Sequence, residues 1–152
     1  MTIKMATKQS MLLVAGALLA SQACLASGLI ATMTVNPTAA LSSDRIQLVV
    51  SGTYTCGPLP QPQTNVGSTF AFGNLTVFQA NGRNVAQAQG GFSAVCDGNP
   101  QTFQAPVIAQ TMPWHGGKAR VVGNLHVQLC DDPYGNECET ANSDVNTQIG
   151  IR

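Results

Sequence analysis

Apolar and polar residues alternate with a period of two along most of the chain from Ile30 onward, and no useful stretch shows a helical period. The clearest examples are Arg45–Cys56, where Leu48 and Val50 share one face, and Lys118–Cys130. Because successive side chains of a strand point to opposite faces, this pattern predicts half-buried strands. The sequence predicts seven strands: Ala31–Val35, Arg45–Cys56, Thr69–Ala80, Val85–Cys96, Gln101–Ile108, Lys118–Cys130 and Val145–Ile151.

Glycines and asparagines interrupt the apolar alternation in the middle of the chain. Asn81-Gly82 lies between two strand-like runs and predicts a hairpin, because both residues tolerate positive φ. Phe70 and Phe72 are out of phase with the apolar residues that follow them, and Gly73 stands at the shift. We therefore expect a β-bulge at Gly73 and a second irregularity at Gly90-Gly91 in the partner strand.

Short strands separated by turn residues, with no alternation of strands and helices, are typical of an all-β fold. We predict an antiparallel, immunoglobulin-like β-sandwich of about seven strands over residues 27–152. Three prolines make the segment 57–68 a loop. Pro106 indicates that Gln101–Ile108 is an edge strand, and Trp114, in a proline-containing loop, is expected to cap the core.

The first residues are typical of an export signal. Lys4 and Lys8 precede the ten-residue apolar run 11–20, and small residues follow that run. This arrangement predicts a signal peptide over residues 1–26, with cleavage after Ala23 or Ala26, and hence a secreted or periplasmic protein. Lipid attachment at Cys24 is the alternative. The run is too short to span a bilayer, which takes about 20 apolar residues.

Charge excludes one class of partner. Of 152 residues, 9% are charged against roughly 25% in ordinary proteins, and Lys+Arg and Asp+Glu number 7 each. Loss of two lysines with the leader would leave 5 basic and 7 acidic residues. A nucleic-acid surface needs clustered Lys and Arg, so we expect no nucleic-acid partner.

Removal of the leader leaves four cysteines, Cys56, Cys96, Cys130 and Cys138, and four allow three pairings. An even number in an exported chain predicts two disulfides. Cys56 and Cys96 both lie on inward strand faces and suit a staple through the core. Cys130 and Cys138 are close in sequence and suit a clip on a hairpin.

Candidate catalytic chemistry is sparse. The only histidines are His115 and His126, and no G-x-S-x-G motif accompanies them, so we predict no enzyme and no cofactor or metal site. The segment 131–137 is the densest acidic cluster. It lacks the spacing of a calcium loop, which favours a solvated turn clipped by a disulfide, with calcium binding as the alternative.

Several short motifs carry a resemblance. The sequences S-G-T-Y-T-C ending at Cys56 and V-C-D-G around Cys96, with a late C-x7-C, resemble small exported bacterial Ig-like domains of unknown function, mainly actinobacterial. That resemblance covers residues 45–151 and implies a sandwich with Cys56–Cys96 and Cys130–Cys138 pairs and no assigned active site. A fainter resemblance is to the enediyne-binding chromoproteins, which are exported sandwiches with two disulfides.

Two functions follow as expectations. The first is an exported, non-catalytic module that acts through surface contacts, as an envelope, matrix or adhesion component. The alternative is a carrier of a small apolar ligand between the sheets, and an enzyme or inhibitor ranks last. A filled core with an exposed edge strand would favour the first, and a large cavity between the sheets the second. Val145–Ile151 carries no Lys, Pro or inward charge, so it is either paired centrally or open to self-association, with Leu29–Val35 as a strand that could pair with it.

Overall fold

A computed structural model describes residues 28–57, 69–130 and 138–152. The predicted leader, most of the predicted loop 57–68 and the acidic segment 131–137 lie outside these residues. No helix among the described residues has the length and hydropathy to cross a membrane. The described chain forms eight strands: β1 Ile30–Val35, β2 Thr38–Leu41, β3 Gln47–Gly57, β4 Thr69–Asn81, β5 Asn84–Ser93, β6 Gln101–Ile108, β7 Gly117–Cys130 and β8 Cys138–Ile151.

The strands form two layers that share one strand. In the first layer β3 pairs with β6 on one side and with β1 and β2 on the other. In the second layer the order is β2-β8-β7-β4-β5. The short strand β2 was not predicted; it pairs antiparallel with β3 at Ala40 and Leu41 and parallel with β8 at Thr38 and Ala39. The predicted purely antiparallel arrangement is therefore not complete, because the β2–β8 pair is parallel. By pairing with both β3 and β8, β2 passes from one layer to the other.

Alternation along the strands fills the space between the layers. On β3 the residues Leu48, Val50, Tyr54 and Cys56 are buried, as the sequence predicts. Trp114 is 1% exposed and belongs to the same cluster, so it covers the core as expected. Side chains that are almost fully buried come from both layers: Leu48, Val50, Leu75, Val77, Val107, Val121, Leu125 and Val127.

The predicted bulge at Gly73 is wrong. β4 pairs residue for residue with β5 from Phe72 to Asn81 and with β7 from Thr69 to Phe78, so neither Gly73 nor Gly90-Gly91 interrupts the ladder. Phe70 is exposed and Phe72 half-buried because both side chains lie on the outer face. Gly73 has another purpose: a Cβ there would come within 2.2 Å of the Phe92 ring.

We predict that Gly73→Ala lowers the free energy of unfolding by about 1–3 kcal/mol, the usual effect of overpacking. The Phe92 ring cannot easily move away, because it is stacked on Phe103 with centroids 4.2 Å apart. Urea denaturation measures the change. Gly116→Ala is the matched control, since a Cβ at Gly116 would meet nothing closer than 3.7 Å. Equal stability of the two variants would contradict the packing argument.

The structure contains both expected disulfides. Cys56 is bonded to Cys96 with Cα atoms 4.7 Å apart, and Cys130 to Cys138 with Cα atoms 4.0 Å apart. Cys130 and Cys138 lie directly opposite each other in the β7–β8 ladder. β8 therefore begins at Cys138, seven residues before the predicted strand Val145–Ile151.

Candidate contact surface

The two histidines lie in unrelated settings. His126 projects from the outer face of β7, with Nδ1 2.7 Å from Asn142 Oδ1 and its ring beside that of Phe72. His115 precedes β7, with Nδ1 2.9 Å from the carbonyl oxygen of Gly116 and Nε2 3.2 Å from that of Ala80. Neither ring is hydrogen-bonded to a hydroxyl or carboxylate of the described residues. Within the described ranges no three His, Cys, Asp or Glu side chains converge as a metal site would require.

Side-chain pairs that the sequence reading missed link β7 to β8 on the outer face. Nε of Arg120 donates to Asn146 Oδ1 at 2.9 Å, and Nδ2 of Asn124 donates to Asp144 Oδ1 at 2.8 Å. The register explains these pairs, because Asp144 lies directly across the ladder from Asn124, and Asn146 lies on the diagonal from Arg120, two residues from its opposite residue Gln148. No local signal in the sequence could have found them, since the partners are separated by 20 residues or more.

Two exposed turn carboxylates have lowered pKa values. The Ser42 hydroxyl, helped by the Ile46 N–H, holds the pKa of Asp44 below its usual value. The Asn99 N–H does the same, first among several donors, for the pKa of Asp97. The stability that these carboxylates contribute is present above their usual pKa, near 3.8, and is lost as pH falls through their lower folded values. Both residues fix turns and lie in no catalytic arrangement.

The two layers contact each other on both sides of the sandwich, through β5 and β6 on one side and β1 and β8 on the other. Beneath β5, a Cβ on Gly90 would come within 2.4 Å of the Pro106 carbonyl oxygen, so β5 and β6 are in backbone contact. On the other side, the Met33 N–H of β1 donates to Ser143 Oγ of β8 at 3.0 Å. Three clefts that described residues line are open to solvent. One, of about 510 Å³, lies over β2, β3 and β6 and includes Ser51, Gln104 and Arg152.

One backbone hydrogen bond just after β5 shows which residues of β5 bond to β4 and which point away from it. The Ala94 N–H donates to the Ala71 carbonyl at 3.1 Å, and the β4–β5 register continues from that pair without a break. In an antiparallel ladder bonded and non-bonded pairs alternate, so the even-numbered residues of β5 bond to β4. The odd-numbered residues direct their N–H and C=O groups away from β4. They are Val85, Gln87, Gln89, Gly91 and Ser93, and all five are exposed.

β6 is an edge strand whose outward side is blocked by a proline. The Ala109 N–H donates to the Ile46 carbonyl at 2.8 Å, so the outward groups of β6 belong to its even-numbered residues. Pro106 is one of them and has no N–H to offer. This confirms the prediction that Gln101–Ile108 is an edge strand, and it places the proline on the side where it breaks no bond to β3.

The edge expected at the C-terminus is largely occupied. β8 pairs with β7 along its whole length and with β2 at Gly150 and Ile151, and β1 pairs with β3. Of the two alternatives for Val145–Ile151, the structure shows pairing within the monomer, and the possible pairing with Leu29–Val35 is not formed, because β1 pairs with β3. The free part of β8 carries Asp144, a charge of the kind that discourages edge pairing. Among the edge strands of the described residues, β5 is longer than β1 and β6, and it contains neither a proline nor a charged residue.

Comparisons of the chain with family models, with curated proteins and with solved structures give no match. The likeness of the S-G-T-Y-T-C and V-C-D-G motifs to small exported bacterial domains thus stays a resemblance between sequences. Function has to be inferred from what the described residues can do. These residues form a packed core, place the two histidines in separate settings and leave the β5 edge without proline or charge.

Proposed function

We propose that this chain is an exported, non-catalytic module with an immunoglobulin-like β-sandwich that acts through surface contacts, as an envelope, matrix or adhesion component. The observation that carries the proposal is the β5 edge beside a filled core. The five odd-numbered residues of β5, from Val85 to Ser93, offer backbone donors and acceptors that no other described strand uses. Edges of this kind accept an added strand, and monomeric proteins usually blunt them.

The filled interior favours this function over a carrier of an apolar ligand. A ligand held between the sheets would need a cavity of a few hundred cubic ångströms, lined by apolar side chains. Here that space holds Leu48, Leu75, Val121 and Leu125, each 1% exposed or less. The contacts at Gly90 and Met33 also hold the two layers together on both sides of the sandwich.

The histidine settings support a non-catalytic role. A base needs an orienting group and a substrate-facing nitrogen. The ring nitrogens of His115 both lie beside backbone carbonyls, and His126 lies on an outer face among amides and a phenylalanine. Export is supported by the two disulfides, which persist in oxidising compartments, together with the predicted leader.

The proposal is tested in the native host by measuring how much tagged protein stays with the cell envelope after washing. We expect the double variant Gln87→Pro/Gln89→Pro to lose retention, because it deletes two outward N–H donors of β5 and none of the bonds to β4. Gln104→Pro on β6 is the matched control and keeps retention. His115→Ala/His126→Ala is also expected to keep it.

Two outcomes would overturn the proposal. If a folded protein with the β5 prolines is still retained by the envelope, the β5 edge is not the contact surface. Loss of the biological role in a folded histidine double variant would indicate catalysis instead. Circular dichroism and thermal unfolding of each variant establish that it is folded before retention is compared.

A further inference from the structure

We propose that β5 pairs with β5 of a second copy of this chain, antiparallel across a two-fold axis, and so joins two sandwiches through one continuous sheet. This inference rests on the proposed function, because it names the partner of the same edge. The backbone groups that would bond to the second copy already point away from β4.

The phase of β5 suits a two-fold axis. Two identical strands related by such an axis are always antiparallel, and each contact occurs twice. With the axis at Ala88, Gln87 lies opposite Gln89 of the second copy, and Val85 lies opposite Gly91 of the second copy. All of these are odd-numbered, outward residues, so each facing pair can exchange two backbone hydrogen bonds.

The side chains of β5 are compatible with this pairing. The strand carries no charged residue, so two copies bring no like charges together. The inward residues nearest the axis, Ala86, Ala88 and Gly90, are small, and the two alanines are already buried within the monomer. On the outer face, Gln87 and Gln89 of the two copies face each other, and amide side chains can donate to and accept from one another.

The other described edges fit a second copy less well. Self-pairing of β6 would leave an outward carbonyl opposite Pro106 without a donor. Self-pairing of the free part of β8 would bring two Asp144 carboxylates towards each other, and like charges across a ladder destabilise it. The β1 edge is engaged at Met33 by Ser143. The neutral β5 edge is therefore the one that a copy of this chain can extend.

The mass of the full-length chain, expressed with its own leader and purified oxidised, is measured by analytical ultracentrifugation over a range of concentrations. We expect a dimer, and a dissociation constant raised about tenfold or more in Gln87→Pro/Gln89→Pro. Gln104→Pro should leave the dimer unchanged. Amide hydrogen exchange should show protection at Val85, Gln87, Gln89 and Gly91 that rises with protein concentration.

A second variant guards against misfolding. Gln87→Lys/Gln89→Lys keeps every backbone donor but brings four lysines together in the dimer, so it should also dissociate, and more so at low salt. A wild-type monomer at all concentrations, or a dimer that tolerates both β5 variants, would overturn self-pairing. If the wild type is monomeric while the β5 prolines still abolish envelope retention, the proposed function stands and a different protein supplies the added strand. If the prolines affect neither, both proposals fail.

Discussion

Replacement of Cys56 and Cys96 by alanine is expected to lower the free energy of unfolding by about 4 kcal/mol, the chain-entropy estimate for a loop of this length. The two sulfurs join residues 40 apart in sequence, and both cysteines are buried. The bond ties the end of β3 to the segment after β5, in the opposite layer. Without it, that segment keeps weaker ties to β3, the hydrogen bonds from the Val95 N–H to Tyr54 Oη and from the Gly98 N–H to the Cys56 carbonyl. Urea denaturation under non-reducing conditions measures the loss.

Removal of the second disulfide serves as the comparison. Cys130→Ala/Cys138→Ala should cost about 2.5 kcal/mol, because the closed loop is much shorter. Non-reducing peptide mapping of the exported protein should find no free thiol among these four cysteines. A link between Cys56 and Cys130 would contradict the observed pairing. A larger loss from the second pair than from the first would contradict the entropic explanation.

Strand positions were predictable wherever one face of a strand is buried and the other is solvated. β3 and β7 show this pattern, and their inward residues are those that the alternation selects, except that Cys130 at the end of β7 is buried out of phase. The first half of β8 was missed because Glu139–Ser143 contains no apolar alternation. Its strand conformation depends on pairing with β7, beginning at the Cys130–Cys138 clip, which is a long-range effect.

Two errors have a common physical cause. The phase shift before Gly73 is real, but it reflects phenylalanines on the outer face of a continuous strand and not an inserted residue. The short strand β2 exists because its two halves pair with different layers. In both cases the deciding contact, from Phe92 or from β3 and β8, comes from a segment that the local pattern does not specify.

The candidate contact surface could not be located from the sequence for the same reason. Which strands lie at an edge depends on the order of strands in each layer. The absence of charge in Val145–Ile151 suggested that this strand could be a free edge, but it is paired. β5 is equally neutral, and the sequence pattern did not identify it as an edge. Pro106 was informative because a proline restricts the position of its own strand, whatever the neighbouring strands are.

A buried glutamine anchors the segment that carries Trp114. The Gln79 side chain is fully buried on β4, where alternation would favour an apolar residue. Its Nε2 donates to the His115 carbonyl at 2.7 Å, and its Oε1 accepts from the His115 N–H at 3.0 Å. Both backbone groups of His115 are thus satisfied by one side chain, and Trp114 is held over the core beside them.

Gln79→Leu is expected to destabilise the fold by about 3 kcal/mol, because it leaves a backbone donor and a backbone acceptor of His115 unpaired. Trp114 is the only tryptophan, so its fluorescence reports directly whether the segment detaches. Gln104→Leu, an exposed position on β6 outside the proposed β5 contact, is the control and should change stability little. Unchanged urea midpoint and fluorescence in Gln79→Leu would show that the two hydrogen bonds do not hold the segment.

Gln79→Glu separates the two hydrogen bonds by pH. A carboxylate still accepts from the His115 N–H but opposes the His115 carbonyl, and burial raises the pKa of such a group in the folded state. The folded protein then binds a proton that the unfolded chain has released, so stability is greatest at low pH and falls as pH rises. The variant should therefore approach the wild type near about pH 4 and resemble Gln79→Leu near about pH 8. A pH-independent difference from wild type would show that the bond to the His115 carbonyl contributes nothing.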